Sequence, residues 1–386
     1  MNVCISVFSR FHAFDLANQL HARGHLGRII TAYPKFLAAR FGVPRDRVHS
    51  LLAQGALHRL WDKRPATFRP RVDVEPWFHE RFDRTARAHI PEGTDIYIGW
   101  SGCTEHGLAA ARRLGAVTVV ERGSSHIEYQ RDILREEYQS QGIKAQLPAP
   151  TVVDKELREY ETSDYISIPS EFVRRSFVER GVPNRKLLVN PYGVNLGQFR
   201  RLPRRDHVFR VVFAGAMSLR KGVHYLIKAF AELGLAGAEL WLIGRKLPEI
   251  EPFFRKYEGT FCYFGPVPQR ALHEYYSQCS LFALCSIEEG LAMVQLQAMA
   301  CGLPLLCTTN TGGDDLITEG REGFVVPIRD VDALKEKIES LYKDREACAE
   351  MGRAAQRRVS QGHSWTDYGD RITRAYEKIL RPHDSR

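Results

Sequence analysis

The chain of 386 residues is predicted to be an α/β protein built from two domains. Its length exceeds what a single hydrophobic core usually holds. Short apolar runs alternate with amphipathic helical patterns from one end to the other, the order typical of parallel sheets covered by helices. The alternation breaks once, at residues 190–210, where prolines and a basic cluster indicate a linker. Two successive Rossmann-like units are therefore expected.

In the first half, four strand and helix pairs follow the apolar pattern. The predicted strands span residues 2–8, 95–99, 116–120 and 165–168. The helices that follow them are predicted over residues 14–23, 107–113, 129–141 and 171–180. The strand runs are apolar throughout, which is typical of parallel strands that are buried on both faces.

The second half repeats the alternation. Its predicted strands span residues 209–213, 239–243, 260–264, 281–284, 304–307 and 323–326. Its predicted helices lie near residues 221–233, 269–278, 291–301 and 332–342. A last amphipathic helix is predicted over residues 365–380. We place the first domain at residues 1–195 and the second at residues 205–362.

Composition excludes several classes of protein. A hydrophobic content of 44% is that of a globular chain and argues against disorder. No apolar run reaches the ~18 residues that would span a bilayer. The stretch 1–8 lacks a basic region and a cleavage site, so it is interpreted as a first strand rather than a signal peptide, and a cytoplasmic location is expected. The eight cysteines form no C-x-x-C pair, so neither zinc nor disulfides are indicated.

The positive charge concentrates in segment 34–72. This segment holds nine Lys or Arg residues and only two acidic ones, Asp46 and Asp62, and aromatic residues are interleaved with them. Such a mixture suits an anionic membrane surface, and it could also suit nucleic acid or an anionic glycan. The alternative is a solvated basic face over a small satellite core. Because the charges form one short segment without a known reading motif, nucleic-acid binding is not expected.

The stretch 286–304 is the most informative part of the chain. Glu289 and Gln297 lie eight positions apart, which is roughly 12 Å along a helix axis, about the length of a nucleotide diphosphate sugar. A helix start between them would offer free N–H groups to the diphosphate. Glu289 could then hold sugar hydroxyls and Gln297 the ribose. The alternative is a buried helix with a glycine start and a Gly-Pro stop.

This stretch resembles the donor site of the retaining, two-domain (GT-B) glycosyltransferases often called family 4. There a Glu before Gly is followed by a helix, a second acidic residue eight positions on, and then Ala-Met-Ala-Cys-Gly-x-Pro. Gln297 departs from that pattern. The resemblance begins near Ser163 and is also carried by Phe213-Ala214-Gly215, Arg220-Lys221-Gly222, Gly265-Pro266-Val267 and Thr311-Gly312-Gly313. It implies two Rossmann-like domains facing a central cleft, with residues 365–386 packing back on the first domain.

The resemblance also implies a donor site. Lys221 is expected on the diphosphate, where a cation offsets the charge that develops on the leaving group. Ala216 stands where the family often carries an Arg, so Arg220 or Arg245 is expected to substitute; the alternative for Arg220 and Lys221 is a basic turn that opens a surface helix. The implied donor-binding residues are Gly215, Arg220, Lys221, Arg245, Val267, Gly290, Leu291, Ala292, Gln297, Gly312 and Gly313.

In the first domain, a charged turn at residues 121–126 follows a predicted strand. The family has a His in this neighbourhood that reaches the transferred sugar. Either Glu121 or His126 could fill that place; His126 is favoured, with a capping or core histidine as the alternative. Arg10 and His12 stand in the first loop, which replaces a glycine-rich turn of the family, and could contact donor phosphate or acceptor. The predicted catalytic residues are therefore Glu289, Lys221 and His126.

No metal or other cofactor is expected. Asp330 and Asp332 match the Asp-x-Asp form of a metal site, but they directly precede a helix, which predicts N-capping. The resemblance implies a metal-independent, retaining transfer from a UDP- or GDP-type nucleotide sugar to a glycan or lipid-linked acceptor. Segment 34–72 suggests a cell-surface polysaccharide pathway at the inner face of the membrane. Ala216, Gln297 and the absent glycine-rich loop motivate one alternative, a non-catalytic nucleotide-sugar-binding or scaffold protein on the same fold.

Overall fold

The computed structural model describes residues 1–62, 74–145 and 147–381. Its first sheet has seven parallel strands in the order β3-β2-β1-β4-β5-β6-β7. These strands are β1 (Val3–Val7), β2 (Leu26–Thr31), β3 (Val48–Ser50), β4 (Ile96–Trp100), β5 (Val117–Glu121), β6 (Tyr165–Ile168) and β7 (Leu187–Val189). β1, β4 and β5 are almost wholly buried on both faces, as their apolar runs predicted.

Eight α-helices accompany the first sheet in the described residues. They are α1 (Ala13–Ala22), α2 (Lys35–Ala39), α3 (Leu52–Asp62), α4 (Glu75–Ala86), α5 (Glu105–Arg113), α6 (Ile127–Ser140), α7 (Pro150–Thr162) and α8 (Glu171–Val178). α7 begins with Pro150 in its first turn, where a missing N–H costs nothing.

The second sheet has six parallel strands in the order β10-β9-β8-β11-β12-β13. They are β8 (Phe209–Ala214), β9 (Ala238–Ile243), β10 (Cys262–Gly265), β11 (Leu281–Leu284), β12 (Leu305–Thr308) and β13 (Gly323–Val326). The helices are α9 (Val223–Leu233), α10 (Glu251–Lys256), α11 (Leu272–Ser277), α12 (Met293–Ala300), α13 (Val331–Lys343) and α14 (Arg345–Ser360). Two parallel sheets covered by helices confirm the predicted fold class.

The last helix, α15 (Trp365–Leu380), leaves the second unit and packs against α1 of the first. Ser364 starts it with a capping box that Asp367 completes. Arg23 Nη2 of α1 lies 2.6 Å from Asp370 Oδ1, and the apolar face of α15 is buried. This is the crossing back that the resemblance implied.

The cleft between the two sheets lies at the carboxyl ends of their strands. Residues at the ends of β1, β4 and β5 face residues at the ends of β8 and β11 across it. In parallel α/β sheets this edge is where side chains and helix starts can converge on a ligand.

Several elements were missing from the sequence prediction, among them β2, β3, β7, α4, α7 and α14. β3 and β7 are three-residue strands at the two edges of the sheet, and the apolar run of the inner strand β2 is interrupted by Gly27 and Arg28, so the apolar signal of all three is weak. α4, α7 and α14 are rich in charged residues and have low mean hydropathy, although each has a clear buried face.

Candidate active site

A cavity of about 590 Å³ lies in the cleft between the two sheets. Its first-domain wall carries aromatic and histidine side chains. Its second-domain wall carries charged side chains, small residues and the start of α12. Of the predicted site residues, the cavity brings together Gly215, Arg220, Lys221, Glu289, Leu291, Ala292 and Gln297.

Two consecutive bases face two consecutive acids on the second-domain wall. Arg220 Nε lies 2.8 Å from Glu288 Oε2, and Lys221 forms an ion pair with Glu289. Gly222 allows this turn to approach β11: its φ is +62°, and a Cβ there would lie 1.8 Å from the carbonyl oxygen of Cys285. The sequence predicted Lys221 on the diphosphate and Glu289 on the sugar hydroxyls, and the structure places the two side chains in direct contact.

The pKa of Lys221 is lowered by its surroundings. Burial and the neighbouring Arg220 charge lower it to about 7, against the opposing effect of Glu288. A diphosphate that came to lie beside this ammonium group would favour its charged form. The charge of Lys221 is thus available to an anionic ligand at neutral pH and below.

α12 starts at the cavity without a capping side chain. Its N-cap residue is Ala292, and Leu291 to Val294 line the cavity. The free N–H groups of a first helical turn, together with the positive end of the helix dipole, form an anion site. The predicted helix start at residue 291 was wrong, because α12 begins at Met293. Glu289 therefore stands before the helix, and a helical rise does not set its distance from Gln297.

Gln297 lies on α12 and is only 4% exposed. Its Oε1 has no hydrogen-bond partner among the described residues. Gln297 lines both the central cavity and a second cavity of about 560 Å³ beside the linker and the start of α15. A buried, unpartnered amide oxygen between two cavities is well placed to receive a hydroxyl group.

Five predicted donor residues do not line the cavity: Arg245, Val267, Gly290, Gly312 and Gly313. The side chain of Arg245 is exposed outside it, so the cation that stands near Ala216 is Arg220. Val267 is half-buried and also lies outside the lining. Gly312 and Gly313 are buried behind the wall, where a Cβ on Gly312 would lie 2.7 Å from the carbonyl oxygen of Gly290.

Gly290 is also absent from the lining, and it joins the two domains instead. A Cβ at this position would lie 1.8 Å from the carbonyl oxygen of Gly123 in the first domain. Its own carbonyl oxygen accepts a hydrogen bond from Ser170 Oγ at 2.7 Å. The glycine therefore permits the close approach of the two walls.

Glu288 crosses between the domains, and sequence reasoning missed it. Its fully buried carboxylate accepts hydrogen bonds from the Ser125 backbone N–H at 2.9 Å, Ser125 Oγ at 2.7 Å and Gln130 Nε2 at 2.8 Å. Burial alone would raise the pKa of Glu288, but the Arg220 charge and these donors lower it to about 2. The acidic doublet at 288–289 was visible in the sequence, whereas its first-domain partners were not.

The structure does not bring His126 into the cavity. It caps α6, where its Nδ1 accepts from the Glu128 N–H at 3.3 Å, and its ring packs on Tyr160 and Phe177. Burial and nearby arginine charges lower the pKa of His126 to about 4. The position that was favoured as catalytic is therefore the capping and core histidine of the alternative interpretation.

His12 and Glu121 occupy the first-domain wall instead. His12 lines the cavity, and its Nε2 lies 2.9 Å from Glu121 Oε1. Both side chains are buried. Glu121 is at the end of β5, as the sequence indicated. It does not line the cavity itself, but it contacts His12, which does. Arg10 lines the neighbouring cavity beside the linker.

One group in the described residues has the composition of a metal site: Glu80, Asp83 and His106. Lys155 Nζ already lies 2.7 Å from Glu80 Oε2 and 3.5 Å from Asp83 Oδ2, so an ammonium group balances this charge. None of these residues lines the central cavity. Asp330 is the N-cap of α13, accepting from the Ala333 N–H at 2.9 Å, as predicted.

Comparisons with known proteins agree with this geometry. Residues 197–358 match the family model described as glycosyl transferases group 1. The putative glycosyltransferase EpsD of Bacillus subtilis is 27% identical over 234 residues, covering 53% of this chain and 58% of EpsD. The capsular polysaccharide biosynthesis glycosyltransferase CapM of Staphylococcus aureus is 25% identical over 178 residues, covering 45% of this chain and 47% of CapM. The chain thus spans about half the length of the curated relatives it matches.

A solved structure extends the likeness to the whole chain. The structure of HepE from Anabaena, in complex with UDP and glucose, superimposes with a TM-score of 0.70 at 17% identity. The match covers 98% of this chain and 100% of that chain, which shows a shared fold. Residues 197–358 therefore resemble the group 1 glycosyl transferases, and the two Rossmann-like domains have the GT-B fold that the sequence predicted.

Proposed function

We propose that the protein transfers a sugar from a nucleotide diphosphate sugar to a glycan or lipid-linked acceptor. The second-domain wall of the cavity carries this proposal. There the uncapped start of α12 lies beside Lys221 and Arg220, and Glu289 stands next to them. Free N–H groups and two cations suit a diphosphate, and a carboxylate beside them suits sugar hydroxyls.

In the proposed reaction, the diphosphate lies against the start of α12 and draws Lys221 away from Glu289. Glu289 is then free to accept hydrogen bonds from the hydroxyls of the transferred sugar, and Gln297 receives the ribose. The acceptor oxygen bonds to the anomeric carbon as the bond to the diphosphate oxygen breaks, and the proton of the acceptor hydroxyl passes to the departing diphosphate. Lys221 and Arg220 stabilise the negative charge that grows on the leaving group. Because these cations supply the positive charge, we propose that no metal is required.

Retention of anomeric configuration is part of the same proposal. The departing diphosphate, held on the second-domain wall, would remain on the face from which the acceptor attacks. The family match and the GT-B fold support this outcome. HepE, which shares the fold, binds UDP and glucose, and this favours a UDP-type donor here, with a GDP-type donor as the second choice. The similarity to CapM favours a role in cell-surface polysaccharide synthesis.

A screen of UDP- and GDP-sugars by thermal stabilisation tests the donor site, since a ligand of the folded state raises apparent stability by mass action. We expect at least one of them to stabilise the protein, and Lys221→Ala to abolish the effect. Failure of every nucleotide sugar to stabilise the wild type would contradict the proposal. Domain boundaries at 1–195 and 205–362 predict that residues 205–362 bind the same nucleotide weakly by themselves.

The alternative is a protein that binds nucleotide sugars without transferring them. Gln297 in place of an acidic residue, and Ala216 in place of an arginine, are the observations that favour it. Release of free nucleoside diphosphate only when an acceptor is present identifies the enzyme. Tight binding of the donor without release, across a panel of glycan and lipid-linked acceptors, identifies the binder.

We also propose that the first domain contacts an anionic membrane surface through segment 34–72. Its described part exposes Phe36, Leu52, Leu57 and Leu60, with exposed fractions of 53%, 50%, 43% and 66%. Residues 63–72, which hold much of its charge, lie outside the described residues. None of the described helices has the length and the apolar character that crossing a bilayer requires. The protein should sediment with anionic vesicles at low salt and be released as salt rises; failure to bind at low salt would contradict this proposal.

A further inference from the structure

Among the described residues, two buried pairs of histidine and glutamate have the same geometry. His12 Nε2 lies 2.9 Å from Glu121 Oε1, and His224 Nε2 lies 2.9 Å from Glu137 Oε1. Of these four side chains, His12 lines the central cavity and the others do not. The second pair is enclosed between the domains, where Tyr225 and Arg329 also bind Glu137. A ligand in the cavity can therefore contact the histidine of the first pair but not that of the second.

The ring of His12 is held in one orientation. It lies at the start of α1, directly beyond the loop that follows β1. Its centroid is 4.4 Å from that of Tyr192 and 5.1 Å from that of Trp100. Because Nε2 faces a carboxylate, that nitrogen carries the proton in the neutral ring, which leaves Nδ1 as a hydrogen-bond acceptor.

Nδ1 of His12 makes no hydrogen bond to any of the described residues. Although His12 is the N-cap residue of α1, its side chain accepts no capping hydrogen bond. His126, in contrast, uses its Nδ1 to cap α6. An oriented ring with an unused acceptor, on the wall of a ligand cavity, is the arrangement of a binding residue rather than of a core histidine.

Glu121 supports the same conclusion. It is 2% exposed, its Oε2 has no hydrogen-bond partner among the described residues, and His12 is the side chain that contacts its Oε1. A buried carboxylate with so few partners costs stability. The contacts of Glu121 therefore indicate that it fixes the tautomer and the orientation of His12.

We infer that His12 accepts a hydrogen bond from a hydroxyl group of the acceptor sugar, with Glu121 as its positioning residue. The inference rests on the proposed function and deepens it on the first-domain side. Phe8, Trp100 and Tyr192 line the cavity around His12 and offer apolar faces to the C–H groups of a sugar ring. Glu289 and Lys221 stand on the opposite wall, where the donor binds.

The test compares His12→Ala, His12→Gln and Glu121→Gln, with UDP-glucose and GDP-mannose as donors and octyl α-D-glucoside and octyl α-D-mannoside as acceptor probes. We expect His12→Ala to lower kcat/KM for the octyl glycoside by about tenfold or more, the loss typical of one buried hydrogen bond. The Kd of the donor should change by less than about twofold. His12→Gln should recover part of the loss, because its amide oxygen can accept the same bond. Glu121→Gln should give a smaller loss in the same direction.

His224→Ala is the matched control. It removes the other buried histidine of a His–Glu pair, so it should lower the unfolding temperature and leave kcat/KM for the octyl glycoside within about twofold. A folded His12→Ala variant that uses the octyl glycoside as well as the wild type does would overturn the inference. Equal losses in acceptor use and in donor affinity would also overturn it, since His12 would then serve the donor.

A wild type that binds none of the UDP- and GDP-sugars in the thermal screen overturns the proposed function itself. If the wild type binds a donor but transfers its sugar to neither octyl glycoside, ¹⁵N NMR of the histidine rings tests the inference instead. In the donor-bound protein, His12 should be protonated at Nε2, and its Nδ1 resonance should shift when an octyl glycoside is added. Protonation at Nδ1, or no shift at millimolar octyl glycoside, would overturn the inference.

Discussion

The two walls of the central cavity are built in different ways. The second-domain wall draws its charged groups from two short stretches, 215–222 and 288–297, and presents cations, a carboxylate and a helix start. The first-domain wall collects aromatic and histidine side chains from the ends of β1 and β4, from α4 and from the linker, and the end of β5 adds Arg122, Gly123 and Ser124. The second-domain wall thus presents mainly charged groups and a helix start, whereas the first-domain wall is mainly aromatic.

This difference bears on how a glycosyltransferase can vary. UDP- and GDP-sugars share a diphosphate, so a wall that binds it with one helix start and a few cations can stay local in sequence. The acceptor wall has no single shared group to bind, and it is assembled from distant positions. Changes on the second wall should therefore act on turnover and donor affinity, whereas changes on the first should act on acceptor use.

The largest effect is expected at Glu289. Glu289→Ala should lower kcat by about a hundredfold, because it removes a preorganised partner of the transferred sugar. The fold should remain, since the side chain is at the cavity edge. Turnover would be followed by release of nucleoside diphosphate, with circular dichroism as the check on folding. Near-normal turnover of Glu289→Ala would contradict the assignment of Glu289 to the transferred sugar, and with it the contrast between the two walls.

Glu288 tests the contact that joins the two walls. Glu288→Gln leaves Arg220 facing a neutral amide and turns an acceptor of four hydrogen bonds into a mixed group, so the free energy of unfolding should fall by about 3 kcal/mol. Urea denaturation measures this. Asp314→Asn is the control, because Asp314 also pairs across the domains, with Arg175, but is partly exposed. It should cost less than about 1 kcal/mol. Equal losses would show that Glu288 is an ordinary surface contact.

Lys221 gives donor binding on the second-domain wall a pH dependence. Its pKa is lowered to about 7, so it carries its charge below that pH and loses it above. The Kd of UDP-glucose, whose diphosphate charge is constant in this range, should rise about tenfold between about pH 6 and about pH 8. Lys221→Arg should remove the dependence, because a guanidinium does not titrate there. A Kd that is flat with pH in the wild type would contradict the lowered pKa.

The contrast also explains what the sequence could predict. Glu289, Lys221 and Gln297 could be found because a local motif fixes them on one turn and one helix. His126 was favoured over Glu121 because it stands at a helix start in the expected neighbourhood, whereas His12 was expected only as a contact of donor phosphate or acceptor. No sequence pattern tells a capping histidine from a ligand-facing one. The partner of Glu288 is Ser125, more than a hundred positions away. Such contacts depend on how the two domains approach each other, which periodicity does not report.

The smallest effect is expected at Gln297. Gln297→Glu replaces a neutral acceptor with a charged one, and a hydrogen bond to a charged group is stronger by about 1 kcal/mol. If Gln297 faces the ribose, the Kd of UDP-glucose should fall about fivefold, measured by calorimetry at pH 7. Gln295→Glu is the control on the same helix: Gln295 is fully buried and its Nε2 donates to the Thr311 carbonyl oxygen at 2.9 Å, so a carboxylate there should lower stability without tightening the nucleotide. If Gln297→Glu instead destabilises the protein as Gln295→Glu does, Gln297 is a core residue. The ligand-binding surface of the second-domain wall then extends no further than the start of α12.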